Sequence, residues 1–132
     1  MKNFHDYINE SLDDKEIQIM REDIKEHLAD FTTYHLGVKA AKDRVTGMDE
    51  EELRKHELTV KDKEHMLKLL KKANTGDSTT MEKVVAGIDK LPDDFIRARG
   101  RSFMADSRKG SREFAKICGV FLINVLNSLK SL

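Results

Sequence analysis

Chemistry in this chain would fall first to five histidines, one cysteine and its carboxylates. His5, His27, His35, His56 and His65 never stand four apart, so no helix turn offers two imidazoles to one metal ion. His56-Glu57 lacks the second histidine of a zinc-protease helix. Asp62 and His65 are three apart, half of a carboxylate-bridged metal site whose other half is missing. The histidines therefore read as surface residues on polar helix faces, with no metal and no cofactor. Cys118 stands in the apolar run Ile117 to Phe121 and reads as a small buried hydrophobe; a single cysteine forms no intrachain disulfide. The carboxylates come in runs, Asp13-Asp14 and Asp49 to Glu52, which suit solvated helix starts better than an acid/base pair in an apolar pocket. Neither a phosphate-cradling loop nor a nucleophile elbow is present, and no residue is assigned a catalytic role; the chain reads as a non-enzyme.

The clearest internal feature is basic. Residues 97–116 hold Arg97, Arg99, Arg101, Arg108, Lys109, Arg112 and Lys116 against Asp106 and Glu113, a net +5. The planar guanidinium fork donates two hydrogen bonds to two phosphate oxygens, and the loop Ser107 to Ser111 at a helix start adds backbone donors. Such a stretch could grip a nucleic-acid backbone without reading its sequence. It could equally be a solvated face that pairs with the acidic half of the chain. Phe103 and Phe114 fit a core better than a base-stacking platform.

These residues need helices to place them. Ile17, Met20, Ile24, Leu28 and Phe31 recur every three or four positions, which predicts one amphipathic helix from Asp13 to about Leu36 with Gly37 as its stop. A short helix over Lys39–Arg44 would end at Gly47, and Asp49 would cap a segment opening Glu50-Glu51-Glu52. Thr59 or Asp62 opens a helix whose last turn carries Lys68, Lys71 and Lys72 at the negative dipole end. Asn74 to Asp77 reads as a turn, Thr79 with Glu82 as a capping box, and Asp93 as the cap of a helix over 94–105. Ser107 to Gly110 reads as a loop, and Ser111 caps a final helix through Leu129, the most apolar piece and the expected centre of the core. With no hairpin signal, the fold class is all-α: a single compact bundle of about five to seven helices.

At 132 residues, 39% hydrophobic, 36% charged and 6% aromatic, the chain suits one domain with a thin core. The net charge is zero, but residues 1–60 carry 9 Lys/Arg and 15 Asp/Glu, net −6, while residues 61–132 carry 15 and 9, net +6. The two halves could attract one another or face different partners. Asp6 and Glu10 interrupt any secretory apolar core, and the longest apolar stretch, Ile117 to Leu126, already contains Asn124 and is half the roughly twenty residues a span requires. No membrane partner is expected.

The first ten residues stand apart. Phe4, Tyr7 and Ile8 form a small apolar face with Lys2, Asp6 and Glu10 outside it, suiting a short helix that docks in a partner's groove. This Met-Lys start, with aromatics at 4 and 7, an acid at 6 and a closing Ile8-Asn9-Glu10, resembles the capsid-targeting leader of internal head proteins of large contractile-tailed bacteriophages. The resemblance covers about ten of the 132 residues. It implies that residues 1–10 direct the chain to the prohead scaffold and that the prohead protease cuts the Glu10–Ser11 bond, leaving residues 11–132 as a helical domain. It implies a place in the virion interior, packaging with DNA and passage into the host cytoplasm, where such proteins protect DNA or block a host protein. Cutting removes one lysine and two acids and leaves a net +1, barely basic for a DNA-packed protein. The alternatives from the residues alone are a small cytoplasmic helical interaction or inhibitor protein, and a non-specific nucleic-acid-binding module.

Overall fold

The computed structural model describes residues 4–106, 111–129 and 132, with side chains described over 14–103, 112–129 and 132. Among them are seven α-helices: α1 (Phe4–Leu28), α2 (Phe31–Thr46), α3 (Glu50–Lys55), α4 (Val60–Ala73), α5 (Ser78–Ala86), α6 (Asp93–Asp106) and α7 (Ser111–Ser128), with a 3-10 turn (Gly87–Lys90) after α5. No strand occurs among the described residues, so the architecture is the expected all-α bundle.

Helix α7 is its centre. Cys118, Phe121, Leu122, Val125 and Leu126 fall on one helical face and are fully buried. Helix α2 packs along α7 most extensively, α1 packs on α6, and α4 lies against α2. The α1 stripe Ile17, Met20, Ile24 and Leu28 is buried as the spacing predicts. Phe95, Phe103, Phe114 and Phe121 meet in tilted and edge-on pairs 5.0–5.4 Å apart, which places Phe103 and Phe114 with the core.

The first predicted helix is instead two. Asp30, in extended conformation, accepts the Thr33 N–H at 3.0 Å and caps α2, which stops α1 at Leu28 and leaves Phe31 58% exposed. Gly37 is no stop but a buried residue inside α2. A Cβ there would lie 2.9 Å from Cys118 Cβ, and one on Gly119 would lie 2.9 Å from the Ala41 backbone nitrogen. The two helices approach so closely that hydrogen is the only side chain that fits at either position. Gly47 does end α2, and Asp49 and Thr59 cap as predicted, Thr59 with Asp62 in a reciprocal capping box.

Two further caps differ from expectation. Helix α5 is capped by Asp77, which accepts the Thr79 N–H at 3.0 Å, because the positive φ of Gly76 turns the chain three residues ahead of the Thr79–Glu82 pair. Asp93 is the first residue of α6, and its carboxylate turns to Arg21.

That arginine is the one charged side chain buried among the described residues. It donates to the Ile88 and Leu91 carbonyls, each at 2.7 Å, and to Asp93 Oδ1 at 2.6 Å. The guanidinium fork thus satisfies two carbonyls at the end of the 3-10 turn and fixes the α5–α6 corner onto α1.

Gly119→Ala is expected to destabilise the bundle by about 2 kcal/mol, because backbone cannot yield to the added methyl. Gly100→Ala meets only the flexible Met20 thioether, 2.6 Å from Sδ, and is expected to be near neutral or stabilising through the roughly 1 kcal/mol helix propensity gained. Urea titrations of both variants check the contrast. Arg21→Met is expected to cost about 2 kcal/mol in the same assay, since it takes the charge-assisted donors from the Ile88 and Leu91 carbonyls, while the exposed Asp93 turns to solvent.

Candidate binding surface

The basic stretch does not form one patch. Helical spacing puts Arg97 and Arg101 one turn apart on α6, where they pair with Asp94 at 2.9 Å and with Glu16 of α1 at 3.3 Å. Arg99 points elsewhere on the same helix, into a groove beside α4 and α7. Arg112 and Lys116, one turn apart on α7, line a different groove against α2. Arg108 and Lys109 lie outside the described residues. The chain therefore brings Arg112 and Lys116 together, sets Arg99 in an adjoining recess, and turns Arg97 and Arg101 toward acids.

The α2–α7 groove has a volume of about 830 Å³. Its floor is small because the helix crossing demands it: Ala40, Ala41, Ala115 and Gly119 lie at the bottom, with Val120 and Ile123 beyond. Its rim is cationic. Lys39 and Arg44 face Arg112 and Lys116, with Asp43 the carboxylate among the lining residues. Lys39 and Arg44 belong to the acidic half of the sequence and gave no signal there; only the α2–α7 packing sets them opposite the α7 cations. The second groove, about 390 Å³, shares Arg44, Val120 and Ile123 with the first and continues to Leu58, Met66 and Arg99. Lys63 on its edge donates to the Met48 carbonyl at 2.8 Å and to that of Thr46 at 3.2 Å, which ties α4 to the end of α2.

The expected attraction between acidic and basic halves is only partly realised. Arg101–Glu16 joins them in the expected sense. The links of Arg21 to Asp93 and of Lys25 to Asp89 run the opposite way, with cations from the acidic half and acids from the basic half.

The four histidines whose side chains are described go to separate places, and that of His5 lies outside the described residues. His27 packs its ring on Phe103 and Phe114, 5.6 and 5.4 Å away. His35 meets Asn74 Oδ1 through Nδ1 at 2.8 Å, while His56 and His65 line the second groove. Asp62, the carboxylate of the half metal site, instead accepts the Thr59 N–H at 2.8 Å and its hydroxyl at 3.0 Å, bonds that hold its carboxyl below the usual range. No group of three or more metal-ligating side chains occurs among the described residues. Nor is any helix among them long and apolar enough to cross a membrane.

Two buried groups are polar in type but structural in position. The Tyr34 hydroxyl donates to the Ala73 carbonyl at 2.9 Å, joining α2 to the end of α4. Burial pushes the Tyr34 phenol up to about 12 and the Cys118 thiol likewise to about 12, which leaves Cys118 protonated and unsuited to nucleophilic work at neutral pH.

The leader residues Phe4, Tyr7, Ile8, Glu10 and Ser11 lie on α1, which runs through the Glu10–Ser11 bond without a break; their side chains lie outside the described residues. Fold and surface together define an all-α bundle with a basic, apolar-floored groove. No family model matches the chain, and neither a curated protein nor a solved structure matches it.

The raised ionisations of Tyr34 and Cys118 carry a pH dependence. The folded protein keeps protons that the unfolded chain releases above its ordinary values of 10.0 and 9.0, so this stability is whole below pH 9 and is lost as pH rises toward 12. The urea midpoint is expected to fall across that window. Tyr34→Phe is expected to cost about 1 kcal/mol at neutral pH and to flatten the fall above pH 10.

Proposed function

We propose that this chain is an internal head protein of a large contractile-tailed bacteriophage, carried into the prohead by residues 1–10 and released there by cleavage after Glu10. The observation that carries the reading is the ordered pattern of the first ten residues: Met-Lys, aromatics at 4 and 7, an acid at 6 and the closing Ile8-Asn9-Glu10.

The Glu10–Ser11 bond lies inside α1, so cutting it requires that end of the helix to open locally. Helix α1 would keep Ile17, Met20, Ile24, Leu28 and the Arg21 anchor. A compact helical body of this size, carried with the DNA, would then act in the host cytoplasm by contact rather than by catalysis. A second reading, a small helical interaction protein that never enters a capsid, is favoured by the basic groove between α2 and α7, which needs no leader to function.

Semi-specific peptide mass spectrometry on purified virions of the encoding phage distinguishes the two. A mature chain starting at Ser11 is the expected result. A chain found only in infected-cell cytoplasm, with residues 1–10 intact, overturns the head-protein reading and leaves the interaction protein.

A further inference from the structure

The two grooves that meet at Arg44, Val120 and Ile123 flank α7 from Arg112 to Asn127, about 22 Å of helix at 1.5 Å per residue. We infer that together they form a docking trough for an acidic amphipathic helix of a partner protein, about four turns long. The described lining residues of the two grooves run from Leu36 to Asn127.

Charge complementarity is the first argument. Lys39, Arg44, Arg112 and Lys116 edge the first groove and Arg99 the second, against two lining carboxylates, Asp43 and Asp62; Lys63 is held by the Thr46 and Met48 carbonyls. Arg44 is engaged by Glu52 at 2.5 Å and Lys116 by Glu113 at 3.7 Å. The Lys116–Glu113 pair is exposed on both sides, worth little, and exchangeable for a partner's carboxylate, while Arg44 is exposed and its partner Glu52 half-buried. Asp62 is itself spent on the Thr59 cap.

The apolar surface is the second, independent argument. Leu36 is 41% and Leu58 39% exposed, two of the five large hydrophobic side chains left open to solvent among the described residues, and each lines one of the two grooves. Between them run the small floor at Ala40 and Gly119 and the apolar pair Val120 and Ile123. A ridge of leucines at i, i+3, i+4 and i+7 would fill that floor while glutamates on both flanks met the cations. A nucleic-acid backbone makes poor use of the same surface, because phosphates gain from the rim but leave the floor and both leucines uncovered.

The test is fluorescence anisotropy on the full chain with a fluorescein-labelled peptide of about 15 residues, Leu on one helical face and Glu and Ala elsewhere. A scrambled peptide of the same composition and a labelled duplex DNA serve as competing probes. The amphipathic peptide is expected to bind at least tenfold tighter than its scramble. Arg112→Glu with Lys116→Glu, at exposed positions that leave the core alone, is expected to weaken it at least tenfold, and so is Ala40→Glu, which puts charge on the floor. Arg101→Glu, off the trough, is expected to leave affinity within twofold, and circular dichroism verifies that each variant keeps its helicity. Equal binding of the scramble, insensitivity to the trough substitutions, or tighter binding of duplex DNA with a steep salt dependence would each overturn the inference.

Discussion

The contact on which the rest of the molecule depends is the bare-backbone crossing of α2 and α7 at Gly37 and Gly119. Neither position has room for a methyl, since the nearest atoms to an added Cβ lie at 2.9 Å. This closeness sinks the α7 face deep enough for Phe121, Leu122, Val125 and Leu126 to be sealed on all sides, which allows a chain with 6% aromatic residues to form a core. It also explains the surface. Where two helices meet through glycine and alanine, their flanking residues cannot reach inward, and Lys39, Arg44, Arg112 and Lys116 stand up as the banks of a groove. The stability of the bundle and the shape of its binding surface thus come from the same small residues.

Arg21 holds the other side of the bundle. A buried guanidinium is costly to desolvate, and here it is met by two carbonyls and a carboxylate within 2.7 Å. Arg21 and Lys25 of α1 take Asp93 and Asp89 from the basic half, while Arg101 of that half returns to Glu16 of α1. Folding therefore mixes the two halves, and the cationic groove draws Lys39 and Arg44 from one and Arg112 and Lys116 from the other.

Much of the fold was legible because its signals are local. The α1 stripe is a periodicity, and Asp49 with its three glutamates and Thr59 with Asp62 are short-range hydrogen-bond patterns that need no tertiary context. Gly37 was misleading for a tertiary reason: glycine ordinarily marks an exit from helix, and here it marks where another helix arrives. Asp30 was overlooked because Phe31 continues the apolar period through the break. The basic stretch was read as one patch because its residues are consecutive in sequence, whereas helical rotation divides it three ways. Half of the first groove's cations come from residues 39 and 44, within the acidic half, so only packing could have revealed them. The leader is the reverse case, a pattern in ten residues that no fold is needed to see.

Cys118 lies at the same crossing, fully buried against Gly37, with its thiol held protonated. Nothing can reach the buried sulfur unless the packing around it opens, so its encounter with any thiol-seeking reagent is governed by how often that happens. The bundle has therefore been built around its own internal clock. One sulfur atom, sealed inside the core, counts the moments at which that core opens.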